Sequence, residues 1–220
     1  MSVQQPAARS DTRERILKTA FQLFHEQGYN ATGVSTILHE AGVNAGSMYH
    51  FFESKDDLLL QVLEFSLGYL GPAVMDPVEA KTADPVARIF ALLDHYRSRL
   101  DRHGCRLGCP MGNMALEICD GNADARALVH RNFEHWIDRV AGWLDEGGDR
   151  IPPGVDRRQL ARFVLTVMEG GVMQSRAAGR LEPFDAAVEA LRDYLNRLGV
   201  REPGRPRPQR GRRASKRRAR

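Results

Sequence analysis

Cysteine is scarce in this 220-residue chain: Cys105, Cys109 and Cys119 are the whole complement. Three thiols give no even set of bridges, so a disulfide-stapled secreted domain is excluded and a reducing, cytoplasmic setting is expected. No long apolar run stands out as a bilayer span, and no signal-type apolar stretch opens the chain. The sequence therefore predicts no membrane partner. Regular alternation of apolar and polar residues, the mark of a half-buried strand, is missing, as is any internal repeat. A phosphate-cradling glycine loop and a recognisable catalytic constellation are also missing, which argues against an enzyme. Cys105 and Cys109, taken with His103, fall short of a zinc site because a fourth ligand is not apparent. Neither a metal nor a cofactor is expected.

Positive charge is scarce too, once the chain is divided. The formal net charge is +4, yet residues 201–220 alone carry nine Arg and one Lys against one Glu. The first 200 residues hold 22 basic and 27 acidic side chains, a balance of −5. A body of that charge has no general positive field for nucleic acid, so any such binding must rest on placed contacts. The tail, 201–220, is rich in Arg and Pro and poor in apolar residues, a composition that predicts disorder. Near DNA such a polycation adds affinity by counterion release; otherwise it serves as a solubilising or RNA-adhesive tail. Residues 1–10 also read as unstructured.

What is present is helical periodicity. A first helix opens at Asp11 and carries Ile16, Leu17, Ala20, Phe21, Leu23 and Phe24, ending before Gly28. Arg13 and Arg15 near its start are placed to reach phosphates. A long helix from Lys55 through Leu58, Leu59, Val62, Leu63, Phe65 and Leu67 is expected to stop at Gly71-Pro72, before a polar loop from Asp76 to Asp84. Further helices are predicted over Pro85–Leu100, Pro110–Cys119, Asp124–Leu144, Asp156–Ala178 and Pro183–Leu198. The fold class is all-α. Gly170-Gly171 interrupts the next-to-last helix, where glycine costs about 1 kcal/mol and so signals close approach by a neighbour. That neighbour is either another helix of the same chain or a second copy.

Thr32 to Lys55 is the most specific stretch. Val34, Ile37, Leu38 and Ala41 make one apolar face of a short helix, which Gly42 ends by taking a left-handed backbone. Asn44 is placed to cap the next helix, which runs through Ser47, Met48, Tyr49 and Phe51. Ser54 is the N-cap of the one after, with Asp56 and Asp57 in its first turn. Two short helices about a glycine turn make a helix-turn-helix, whose second helix enters a DNA major groove. Asn44, Ala45, Gly46 and Ser47 lie at the reading end of that helix, small enough for close approach and tipped with hydrogen-bonding groups. Tyr49 and His50 suit phosphate or thymine-methyl contacts, and Lys55 at a helix start suits a phosphate. Thr32 and Ser35 are candidates for the same role on the other flank. Met48 and Phe52 read as core, and Tyr49 as both core and contact.

Thr32, Ile37, Ala41-Gly42-Val43, Gly46, Met48-Tyr49, Phe52 and Ser54-Lys55-x-x-Leu58 together resemble the signature of the TetR family of transcriptional regulators. The chain departs from it at Leu38, where alanine is usual, at Asn44, where serine is usual, and at Phe51. The last stands where a His or Tyr touches a phosphate, so one backbone contact worth on the order of 1 kcal/mol is in question. The resemblance implies a three-helix DNA-binding head over residues 11–56 and a larger helical effector-binding and dimerisation domain over 57–200. It further implies a homodimer through the last two helices, a palindromic double-stranded operator, and a repressor released by a small-molecule effector.

For the effector, Arg106-x-Gly108-Cys109-x-x-Gly112-Asn113-x-x-x-Glu117 and Glu169-Gly170 resemble a TetR branch that includes acrylate- and electrophile-responsive repressors. Candidate effector residues are Cys109, Asn113, Glu117, Trp136 and Glu169. Glu117 and Glu169 read equally as paired structural carboxylates and as ligand-orienting groups. Trp136, Phe133, Phe163 and Met168 form an aromatic and apolar stripe that suits the core, with some members free to line a cavity. Cys109 sits at a helix start near Arg106, and both effects lower a thiol's pKa. That supports an alternative reading, a thiol-based redox or electrophile sensor of the same family; the plain reading is a small buried hydrophobe. A non-specific architectural DNA binder driven by the tail is a further alternative.

Overall fold

Side-chain caps fix most of the helix starts. Ser54, Asp84, Asn122 and Asp156 each accept the backbone N–H three residues on, at 2.8–3.0 Å, which satisfies a donor that the first turn leaves orphaned. Asp57 also reaches back to the Glu53 N–H at 2.9 Å, tightening the entry to its helix. The computed structural model describes the backbone of residues 6–202, and the side chains of 11–202 apart from Ser47. The remainder of the expected unstructured start, 1–5, and the tail from 203 onward lie outside the described residues.

The order is α1 (Pro6–Gln27), α2 (Val34–Ala41), α3 (Ala45–Tyr49), α4 (Lys55–Leu70), α5 (Asp76–Lys81), α6 (Pro85–Arg102), α7 (Pro110–Ile118), α8 (Ala123–Glu146), α9 (Arg157–Ala178) and α10 (Glu182–Leu198). The fold is all-α, with no strand among the described residues. α1 begins at Pro6, not Asp11, so residues 6–10 are helical; proline suits a first helical position, where its missing N–H leaves nothing unsatisfied.

The expected stop at Gly71-Pro72 does not occur. Residues Gly71–Met75 form a π-helical turn, with the Asp76 N–H bonded to the Gly71 carbonyl, and α5 follows directly. The wider turn absorbs Pro72, which cannot donate to the normal ladder. Lys55–Lys81 is thus one 27-residue helical run, and by length and composition it could cross a bilayer. That corrects the expectation that no such run exists. Half of its most apolar window is buried inside the fold, where α4 packs on α1 and α8, so it is built as a core helix.

One apolar core runs from head to body. In the head, Ile16, Leu17, Phe24, Ile37, Met48 and Phe52 are buried together with Leu58 and Leu59 of α4. Deeper in, a polar joint fixes α4 on α8: Ser66 Oγ donates to Asn132 Oδ1 at 2.9 Å, and Asn132 Nδ2 donates to the Leu63 carbonyl at 3.1 Å. Each of these buried groups is paired, so the joint specifies register without leaving an orphan. α9 packs on α8 on one side and on α10 on the other. Gly171 is the close-approach glycine within the chain: a Cβ there would lie 3.0 Å from the Phe184 ring and 3.3 Å from its Cα. A Cβ on Gly170 would meet nothing within 4 Å.

Candidate DNA-reading head and body cavity

α2 ends as the sequence predicts. Gly42 takes φ +63°, its N–H bonds to the His39 carbonyl at 3.1 Å, and Val43 N–H bonds to that of Leu38 at 3.0 Å. The chain then enters the five-residue α3, whose outer side carries Asn44, Ala45, Gly46, Tyr49 and His50, all exposed. Tyr49 is 62 % exposed, so of its two readings the surface one holds. Ser35 is exposed on α2, while the Ser47 side chain lies outside the described residues. Phe51 is half-buried and edges against the His50 ring at 4.9 Å, so at this position the chain offers packing instead of a donor.

Thr32 departs from the expected surface role. It is 0 % exposed and its hydroxyl donates to the Gly28 carbonyl at 2.6 Å, so its side chain braces the turn between α1 and α2. Lys55 is held in place: its Nζ donates to the Tyr29 carbonyl at 2.7 Å and lies 4.2 Å from the Tyr29 ring centroid. An ammonium has three donors, so two remain for an acceptor outside the head. The Tyr29 hydroxyl in turn bonds to Asp56. Partial burial, with that bond second, pushes the phenol's pKa up, so it stays a neutral donor. Arg13 turns along α4, donating to Gln61 Oε1 at 2.6 Å, and Arg15 lies 3.9 Å from Asp11.

In the body, a cavity of about 570 Å³ opens between α7, α8 and α9. Of the five expected effector residues, Cys109, Asn113 and Glu169 line it, joined by Phe133, Ile137 and Met173. Trp136 does not line it; the ring is buried and packs edge-on against Tyr96 at 6.0 Å. Glu117 does not either. Its carboxylate points to the head and accepts the backbone N–H of Tyr29 at 3.0 Å and of Asn30 at 2.7 Å. The α9 wall, with Arg162, Thr166 and Met173, escaped sequence reasoning because those residues read only as an outer helix face. Leu116 and Met173, 78 % and 56 % exposed, form the apolar part of the rim.

The glycines of the α7 motif have a steric reason. A Cβ on Gly108 would come within 2.8 Å of Asn113 Oδ1 and 3.0 Å of the Arg176 side chain, and one on Gly112 within 2.5 Å of Glu169 Oε2. Arg176 ties this corner together, donating to Asn113 Oδ1 at 2.6 Å and to the Arg106 carbonyl at 3.1 Å. The Gly108 carbonyl is 2.8 Å from Nε2 of the buried His25 on α1. α7 and the loop before it therefore line the cavity on one side and grip the α1–α2 corner on the other.

The surroundings of Cys109 oppose the activation that a helix start favours. It is buried, with the Tyr96 hydroxyl 3.8 Å away, and burial together with the nearby Glu169 carboxyl pushes its pKa well up. Desolvation works against the helix-start effect because the charged form would be poorly hydrated and beside an acidic neighbour. Burial likewise raises the Glu169 pKa.

A glycine-turned pair of short helices with an exposed second helix, set on a larger helical body, defines a helix-turn-helix DNA-binding regulator. The comparisons agree. Residues 16–62 match the family of bacterial regulatory proteins described as tetR family, and residues 85–190 match the C-terminal domain of transcriptional regulators of LmrA/YxaF type. The chain is 31% identical over 193 residues to the uncharacterised HTH-type transcriptional regulator YxaF of Bacillus subtilis, covering 87% of this chain and 99% of that one. A TetR transcriptional regulator of Chloroflexus aurantiacus superposes with a TM-score of 0.74 at 30% identity, covering 86% and 96% of the two chains. The reduced form of Escherichia coli NemR shares the fold, with a TM-score of 0.75 at 24% identity over 83% and 96%. The chain belongs to the TetR family of transcriptional regulators and is not an enzyme.

Proposed function

We propose that this protein is a cytoplasmic, homodimeric repressor that holds a palindromic operator through α3 and releases it when a small molecule fills the body cavity. The observation that carries this reading is the exposed face of α3, with Asn44, Gly46, Tyr49 and His50 outward beyond a left-handed Gly42. Asn44 and the small residues beside it read base edges. Ser35, Tyr49, His50 and the remaining Lys55 donors hold phosphates. The head spans residues 11–56 and the body 57–200. The acidic balance of the body counts against the non-specific architectural reading, and the buried, protonated thiol of Cys109 counts against thiol sensing.

Dimerisation through α9 and α10 is supported by the outward pair Phe163 and Tyr194, whose rings meet at 5.2 Å yet remain 40 % and 44 % exposed. A second copy would cover that face as a four-helix bundle. Two heads on one duplex face must sit roughly 34–36 Å apart, so a ligand that favours another spacing weakens DNA binding by linkage. α7 is suited to carry that change, since it lines the cavity and is bonded to the head through Glu117 and the Gly108 carbonyl.

The test is to incubate the protein with sheared genomic DNA from its own source and sequence the retained fragments. A small set of sites with dyad symmetry is the expected result; even coverage of all fragments rejects the reading.

A further inference from the structure

We propose that the cavity takes a small, largely apolar molecule carrying one hydrogen-bond donor, a hydroxyl or an amine, that donates to Oε1 of Glu169. This rests on the effector-release reading and names the chemistry of its ligand.

Three observations converge on it. The volume, about 570 Å³, falls in the roughly 300–1,000 Å³ range of small-molecule sites. Its walls are mainly apolar, with Phe133, Ile137, Leu165 and Val172 facing the space. Within them, Glu169 Oε1 is shielded from solvent and has no hydrogen-bond partner among the described residues. Buried polar atoms are paired almost without exception, so an orphaned acceptor in a cavity wall marks where a donor from outside is missing.

The carboxyl is also held in place. Cys109 is its hydrogen-bonding neighbour, and Gly112 leaves the room its other oxygen occupies. Cationic groups on the same wall are turned elsewhere. Arg162 donates to Glu134 at 2.9 Å, and Arg176 donates to Asn113 and the Arg106 carbonyl. His130 and the Asn113 amide, at the wall too, carry further donors. A carboxylate ligand brings no donor of its own, and it meets like charge unless Glu169 keeps its proton and donates to it. A hydroxyl or an ammonium supplies what the oxygen lacks, and an apolar skeleton matches the walls.

The experiment is calorimetric titration of the full-length protein with three probes on one skeleton: phenylbutanol, phenylbutylamine and phenylbutyrate. The alcohol or the amine is expected to bind at least about tenfold more tightly than the carboxylate, since buried acceptor–acceptor contacts are strongly disfavoured. Whichever leads identifies the donor. In Glu169→Gln, whose amide also donates, the preference over phenylbutyrate is expected to shrink by about tenfold. Equal binding of all three probes by the wild type, tightest binding of phenylbutyrate, binding of none, or a preference unmoved in a folded Glu169→Gln overturns the proposal. If that variant does not fold, the wild-type ranking alone decides. Operator titration of the same wild-type sample separates the two levels: selective DNA binding without the probe preference sinks only the ligand assignment, whereas loss of selectivity sinks the regulator reading.

Discussion

Glu117 on α7 accepts the backbone N–H of Asn30 at 2.7 Å, joining residues 87 positions apart across the boundary between body and head. With the second bond to Tyr29, it satisfies two donors in the turn that sets α2 and α3. Removing the carboxylate leaves both unpaired. Glu117→Ala is expected to destabilise the protein by about 1.5–3 kcal/mol, the usual range for hydrogen bonds to a charged group. Urea unfolding followed by circular dichroism checks this; an unchanged midpoint would contradict the role given to Glu117.

Gly171 and Phe163 of α9 separate packing within the chain from packing between copies. Gly171→Ala drives a methyl against the Phe184 ring and backbone and is expected to lower the melting temperature of the subunit. Phe163→Ala removes an exposed ring of the outward pair with Tyr194, so its expected effect is weaker dimerisation, read by analytical ultracentrifugation across a concentration series. Unchanged self-association in Phe163→Ala would place the dimer contact elsewhere.

Acid should loosen the α1–α7 contact. Burial pushes the His25 pKa down, against the hydrogen bond to Gly108 that pushes it up, and the half-buried His95 is pushed down by desolvation and by Arg99. The folded protein therefore holds these rings neutral, while the unfolded chain takes up protons below about 6.5. Stability from this source is complete above that pH and falls as the pH drops through and below it. Melting curves between pH 8 and pH 5 are expected to show the loss (roughly 5–8 brackets the usual range of histidine switching), and His25→Gln is expected to reduce it. A melting temperature that rises on acidification would contradict the assignment.

Cys109 is expected to react slowly with iodoacetamide at neutral pH, because its thiol is buried and held protonated. Half-buried Cys119 should be labelled first, as read by peptide mass spectrometry. Faster labelling of Cys109 would revive the thiol-sensing alternative.

Much of the fold was legible because it is written locally. Gly42, Ser54, Asp84, Asn122 and Asp156 mark helix ends by their own backbone freedom or side-chain reach, and no distant residue is needed to see it. The helix-turn-helix was legible for the same reason: its two short helices, its turn and the cap of the next helix lie within Thr32–Lys55. Pro72 misled because a proline stop is a local rule, whereas here a π-turn over Gly71–Met75 carries the helix past it. Glu117 and Trp136 misled for another reason. Which side of α7 faces the cavity, and whether a tryptophan of α8 meets Tyr96 or open space, is decided by how helices cross. Thr32 belongs to the matching motif, but its hydroxyl turns inward to a carbonyl four residues back. Apart from Glu169, the α9 wall of the cavity had no local signal, since Arg162, Thr166 and Met173 look like any solvent-facing helical stripe.

The central claim, that α3 reads a specific operator, is tested most directly by fluorescence anisotropy on a site recovered from the protein's own genomic DNA. The wild type is set against the combined Asn44→Ala and Tyr49→Ala variant, with a scrambled duplex as reference at the same salt. The wild type is expected to bind the recovered site far more tightly than the scrambled duplex, with two chains per site. The variant is expected to lose about 1–3 kcal/mol of that discrimination per base-reading contact while keeping its residual, salt-sensitive binding. A variant that melts like the wild type and retains full discrimination would contradict the claim.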